Sequence, residues 1–210
     1  MTAPLLALAS RNPGKLREIR TILAAVELDV HVAPAEDFPG WEAPPEDAPD
    51  YAGNALLKAR SLATFAGVAA LADDSGIEVD ALGGEPGPRS ARFAGEDATD
   101  EDNLAKLISL IEDVVPEART ARYRCVAALV VPGGEEEIAE GIVEGILHTV
   151  PRGTGGFGYD PIFVPLSSAH TMAELPPEEK DAISHRGKAF RGLVPAITKF
   201  AGKGRAGGET

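Results

Sequence analysis

Residues 5–26, LLALASRNPGKLREIRTILAAV, decide the class of fold. Leu5 to Ala9 is a short apolar run. After Ser10-Arg11-Asn12-Pro13-Gly14-Lys15, the residues Leu16, Ile19, Leu23 and Val26 recur at helical spacing, so the stretch reads as strand, loop and helix. Asn12 is a good N-cap and Pro13 suits the first helical position, where its missing N–H costs nothing. Backbone amides and the Lys15 ammonium then converge where the strand ends, which is the physics of an anion site. It is not a Walker A sequence, and by itself it is equally compatible with a simple turn bearing a surface lysine.

Working outward, Pro34 to Asp50 is rich in proline and acids and is expected to be a surface loop. It precedes a helix whose apolar face carries Leu56, Ala59, Ala63 and Ala66. Val68 to Ala72 and Ile77 to Val79 read as two short extended segments flanking an acidic turn, Asp73-Asp74-Ser75-Gly76. Gly83 to Pro88 is a loop, and Thr99 with Asp102 forms a capping box before Leu104, Leu107, Ile108 and Ile111. Tyr123, Cys125, Ala127, Leu129 and Val131 alternate up to Pro132-Gly133-Gly134, with Ile138 to Val150 returning as the second strand of a hairpin. A glycine-rich loop, Pro151 to Pro161, leads to a short strand at Ile162 to Val164, and helix is expected from Pro177 to Ala201. Strands and helices interleave while one hairpin breaks the parallel pattern, which predicts an α/β fold with a mixed sheet. We expect a single bilobed domain over 1–201 and a flexible Gly-rich tail over 202–210.

The chain has 210 residues, 44% hydrophobic and 25% charged, as in ordinary globular proteins, and this excludes collagen-like, wholly disordered or membrane-spanning classes. Its net charge of −13 repels long polyanions, so nucleic acid is not an expected partner. A small anion can still bind where nearby cations overturn that sign. Cys125 is the only cysteine, so there is no intramolecular disulfide and no cysteine zinc cage. The N-terminus has no basic export region and no run is long enough for a bilayer, so no membrane is expected and the cytoplasm is the expected compartment.

Two acids after a buried-looking strand need charge compensation, which Mg²⁺ coordination would supply, unless they are simply solvated aspartates of a turn. In extended backbone, Asp73 and Asp74 point to opposite faces, so at most one naturally enters a given site. Phe157 and Tyr159 flank Gly158, which lets rings and backbone approach a flat ligand such as a base. Two core aromatics on a tight turn explain that stretch equally well. Ser184 to Lys188 is a cluster of donors that also reads as a solvated helix face.

Taken together, SRNPGK (10–15), ADDSG (72–76), GGEPGPRSARFAGEDATD (83–100), GTGGFGYDPIF (153–163) and EEKDAISHRGKA (178–189) resemble the inosine triphosphate pyrophosphatase family, which acts on non-canonical purine nucleoside triphosphates. The resemblance implies an elongated mixed sheet flanked by helices, two lobes with the active site in the cleft between them, homodimerisation and Mg²⁺. It implies ITP, dITP and XTP as substrates, cleaved to monophosphate and pyrophosphate, which clears the nucleotide pool of bases that must not enter DNA or RNA. By position, Ser10, Arg11, Asn12, Pro13, Gly14 and Lys15 resemble the triphosphate-binding loop, Asp74 the catalytic acid that also meets the metal, and Ser75 a substrate contact. Phe157, Gly158, Tyr159 and Asp160 resemble the nucleoside-binding loop, with Lys180, His185 and Arg186 closing over the base. Glu46 is the best match for a second metal ligand, upstream of Asn54, Lys58 and Ala59. Around it the sequence departs from the family pattern, with Gly53 where an acid is common.

Two rival readings are weighed against this one. A septum-protein-like pyrophosphatase of modified pyrimidines could share the fold, but GGFGYDPIF and SHRGKA point away from it. A non-catalytic nucleotide sensor would lose the acids, yet Asp73 and Asp74 are both present.

Overall fold

The computed structural model describes residues 3–206. Its elements run β1 (Leu5–Leu8), α1 (Pro13–Ala25), β2 (His31–Pro34), α2 (Tyr51–Ala66), β3 (Ala69–Val79), α3 (Asp100–Ile111), β4 (Thr120–Val130), β5 (Glu136–Leu147), β6 (Phe163–Pro165), α4 (Pro177–Ile183) and α5 (His185–Ala206), with short 3₁₀ turns between them. The six strands form one sheet in the order β2-β1-β3-β4-β5-β6. β1 pairs in parallel with β2, Leu5 opposite His31, and with β3, Leu6 opposite Ala69. β5 and β6 are antiparallel, Leu147 opposite Phe163. The sheet is therefore mixed and the class α/β, as the interleaved pattern predicts.

Two compact units share the chain. The first comprises residues 1–74, 126–141 and 186–210, the second 75–125 and 142–185. The core of the first is built on small residues, with Ala55, Ala59, Ala63, Ala70, Ala72 and Ala128 packed around Leu62 and Trp41. Small side chains let α2 lie close to its strands. Trp41 shows that the expected surface loop is partly pinned inside, its indole donating to the Ser61 hydroxyl at 3.1 Å. The core of the second is bulkier, with Ile77, Leu107, Ile111, Tyr123, Leu147, Phe163 and Met172.

Local chemistry fixes the helix starts. The Asn12 side chain accepts from the amides of Gly14 and Lys15, Pro13 follows it, and Thr99 and Asp102 close a reciprocal capping box. α2 starts on the Asp50 carboxylate, which accepts from Gly53 N at 2.7 Å, and stops at Gly67, whose φ of 67° is left-handed. A Cβ at Gly53 would sit 2.6 Å from that of Ala48, so the acid common at this position in the family has no room here without a shift.

Three expectations need correction. The acidic segment at 73–76 is no turn, because β3 runs unbroken from Ala69 to Val79 with both aspartates inside it. Lys15, Lys58, Asn54 and Arg186, all from helices, supply their partners there in place of water. The hairpin's second strand spans Glu136 to Leu147 and stops short of Val150. The helical region after Pro177 is two helices, separated at Ser184, which is extended (φ −58°, ψ 143°). The second of these runs through Ala206, into the stretch expected to be a tail, and residues 207–210 lie outside the described residues. Among the described residues no helix is long and apolar enough to cross a membrane.

Candidate active site

The first unit gathers seven ionisable groups around the middle of β3. Asp73 is 2% exposed and Asp74 5%, so neither is a solvated acid. Lys15, in the first turn of α1, donates to both carboxylate oxygens of Asp73 at 2.8 Å. The Arg186 Nε, near the start of α5, donates to Asp73 Oδ2 at 3.2 Å, and its Nη1 lies 3.8 Å from Glu18 Oε2. Burial alone would raise the pKa of Asp73. The positive charges of Lys15, Arg186 and Lys58 outweigh it and hold this carboxyl well below the usual carboxylate range.

Asp74 has the opposite balance. Its Oδ2 accepts from Asn54 Nδ2 at 3.0 Å, and its Oδ1 from Lys58 Nζ at 3.3 Å. The same ammonium donates to Glu46 Oε1 at 2.6 Å, so one lysine serves two carboxylates. Burial, reinforced by the Glu46 charge, pushes the pKa of Asp74 up despite Lys58 and Asn54. Lys58 is itself buried, which works against its charge, but Asp74, Asp73 and Glu46 more than offset this and raise its pKa. Among the contacts described, Asp73 meets two cations, Lys15 and Arg186, whereas Glu46 and Asp74 converge on Lys58. Two hard carboxylate oxygens with one cation between them suit a small divalent ion, which binds through one or two carboxylates and completes its shell with water and phosphate. Among the described residues no three acids, histidines or cysteines form a ready-made metal cage.

The Ser10–Lys15 loop lies on the same unit. Ser10 Oγ accepts from the Asn12 amide at 3.1 Å, Asn12 caps the helix, and Arg11, Asn12 and Pro13 are exposed. Lys15 ties this loop to the acid cluster through Asp73. Ser75, directly after Asp74, is half-buried.

The second unit contains a separate polar node. Asp160 accepts from the Phe157 amide at 3.0 Å and from Lys180 Nζ at 2.5 Å through Oδ2, and from the Tyr123 hydroxyl at 3.2 Å through Oδ1. Gly156 has φ +78°, and a Cβ there would overlap the Asp160 carboxylate and the Lys180 ammonium, so only glycine fits. The two aromatics of this loop differ. Phe157 is 57% exposed with the Lys180 ammonium 5.3 Å from its ring centre, whereas Tyr159 is 5% exposed and donates to the Ser90 carbonyl at 2.8 Å. Gly158 N donates to Asp100 at 3.0 Å. The His185 ring stacks on Tyr123, centroids 4.8 Å apart and planes within 8°.

Of the residues expected from the sequence, Lys15 and Arg186 meet on Asp73, Glu46 and Asp74 share Lys58, and Phe157, Asp160 and Lys180 form one node. Asn54 and Lys58 were quoted only as part of a motif, yet they supply both donors to Asp74. The signal for them was present: two polar residues at i and i+4 on the alanine face that α2 buries. Glu18 and Tyr123 carry no such local signal.

The family model that matches residues 6–196 is that of the Ham1 family. The dITP/XTP pyrophosphatase of Streptomyces coelicolor is 49% identical over 197 residues, covering 94% of this chain and 98% of the relative. Among solved structures, a HAM1 protein from Coxiella burnetii superimposes with a TM-score of 0.86 at 39% identity, covering 93% of this chain and 99% of that one. A nucleoside-triphosphatase / dITP/XTP pyrophosphatase from Mycobacterium abscessus does so with 0.76 at 44% identity, covering 92% and 99%. With matching spanning nearly the whole chain and both clusters, this protein belongs to the Ham1 family.

Proposed function

We propose that this chain hydrolyses dITP, ITP and XTP to the nucleoside monophosphate and pyrophosphate; the relatives named above are dITP/XTP pyrophosphatases. The observation that carries the chemistry is the convergence of Glu46 and Asp74 on one ammonium, that of Lys58, beside a strand-to-helix loop whose lysine is anchored on the neighbouring Asp73. Two carboxylates brought together next to such a loop are suited to a metal-bound polyphosphate.

Glu46 and Asp74 would hold the metal, and hard oxygen donors favour Mg²⁺. When bound, such an ion polarises phosphate oxygens and lowers the pKa of a coordinated water. The chain's own groups position and neutralise. Ser10 to Lys15 bind the triphosphate through the loop amides and the Lys15 ammonium, which offsets charge on the departing pyrophosphate. Ser75 contacts the substrate next to Asp74. Water attacks the α-phosphorus and no covalent nucleophile is needed, since displacement at phosphorus is catalysed chiefly by positioning and charge neutralisation.

Base recognition falls to the second unit's node, with exposed Phe157 for stacking and Gly158, Lys180 and His185 beside it. Tyr159 and Asp160 serve by holding the loop. Arg186, expected at the base, has its guanidinium on Asp73. Hypoxanthine and xanthine offer a 6-keto acceptor where adenine offers a donor, and a site of donors rejects adenine by leaving polar groups unpaired. Homodimerisation and a cytoplasmic setting belong to the same reading and are checked by sedimentation and by fractionation.

The test is a substrate panel of ITP, dITP, XTP, GTP and ATP, with and without Mg²⁺, separating pyrophosphate from phosphate among the products. Metal-dependent pyrophosphate release, fastest on the 6-keto, non-canonical nucleotides, is expected. Release of orthophosphate, or equal turnover of ATP, would overturn the reading.

A further inference from the structure

Tyr123 lies outside every motif quoted above, yet it touches both halves of the second unit's node. Its ring meets buried Phe163 at 4.5 Å and 51°, which seats it on the core. The His185 imidazole lies nearly parallel to that ring. Its hydroxyl donates to Asp160 Oδ1, while Oδ2 of the same carboxylate holds the Phe157 amide and Lys180. One side chain therefore sets the plane of His185 with its face and the seat of the Phe157 loop with its hydroxyl.

We propose that Tyr123 is a positioning residue for base selection, orienting His185 by stacking and the Phe157 loop through Asp160. This deepens the proposed function and rests on it. Tyr123 need not meet the nucleotide. Burial keeps its phenol protonated far above the ordinary tyrosine range, so the hydroxyl donates to Asp160 throughout the working pH range. Without that donor the carboxylate keeps a buried lone pair unmet and loses one of the three contacts described for it. A stacking surface and a donor displaced by less than an ångström lose discrimination first, because rejection of adenine depends on where the donors point.

The test is Tyr123→Phe, which keeps the ring, its stacking and its apolar burial and removes only the hydroxyl. Wild-type preference for ITP over ATP is measured first, and its absence would overturn the proposed function and this inference together. Given that preference, kcat/KM for ITP is expected to fall roughly 10-fold through KM, while that for ATP changes less than about 3-fold, since only the cognate base uses those donors. A purely structural role would lower thermal stability and leave the ITP to ATP ratio within about twofold, which would overturn the inference while the proposed function stood. Asp160→Asn supplies the second arm. If the hydroxyl acts through Asp160, adding Tyr123→Phe to Asp160→Asn lowers the ratio no further, and additive losses would overturn that route. Calorimetric binding of the monophosphate IMP reports the same ranking without turnover.

Discussion

The two faces of β3 at its midpoint are both buried and both carry a carboxylate, yet their surroundings shift the two in opposite directions. On one, Asp73 sits between Lys15 and Arg186 and is held ionised. On the other, Asp74 shares a single lysine with Glu46 and is pushed toward its neutral form. Strand geometry alone separates them, since adjacent side chains leave a strand in opposite directions. The difference teaches that neighbours in sequence can have opposed surroundings: under the proposed function Asp73 serves the architecture and Asp74 the metal. A carboxylate whose charge is disfavoured by its surroundings is a tension expected of functional sites.

The largest effect that can break this comparison is on turnover. Asp74→Asn should lower pyrophosphate release on the order of 10³-fold or more, as expected when a carboxylate that anchors charge stabilisation is lost. Its thermal unfolding should lose less stability than that of Asp73→Asn, because burial and the Glu46 charge already work against an ionised Asp74. Equal destabilisation by Asp74→Asn and Asp73→Asn would erase the distinction between the two faces.

Lys15→Ala comes next, with kcat/KM for ITP reduced about 10- to 1000-fold, the range for one lost charge-stabilising donor. Steady-state kinetics matching the wild type would reduce Lys15 to a partner of Asp73 alone.

Asp73→Asn tests the other face through stability. Removing one member of a buried ion pair costs about 3 kcal/mol, because the guanidinium of Arg186 keeps only part of its compensation. The pH dependence has a definite sign. The folded pKa of Asp73 is depressed, so its contribution is complete above the unfolded value of about 3.9 and is lost as pH falls through the lower folded value. The stability gap between wild type and Asp73→Asn should therefore be constant from pH 5 to 8, by denaturant titration, and close only in strong acid. A gap that closes near pH 6 would assign the effect to another group.

The smallest predicted effect lies away from the acids. Phe157→Ala removes an exposed ring and no core packing, so stability should hold while KM for ITP rises roughly 10-fold, the value of one stacked base. An unchanged KM would move base stacking elsewhere.

What could be read in the residues themselves was whatever depends on near neighbours. The Asn12–Pro13 helix start, the Thr99–Asp102 capping box and the β4–β5 hairpin were legible because caps and alternation act over a few residues. The five spaced stretches, from SRNPGK to EEKDAISHRGKA, were enough to name the family. The segment at 73–76 was misread because aspartate, serine and glycine are poor strand formers and good turn formers. Only Lys15, 58 residues away, and Arg186, 113 residues away, make a strand possible there. The sequence likewise left Phe157 and Tyr159 equivalent, and the core of the second unit separated them by burying one and exposing the other. Pattern and capping are local energies, whereas the charge state of Asp73 and Asp74 depends on which cations the tertiary fold brings within 3 to 4 Å, and no stretch of sequence carries that information.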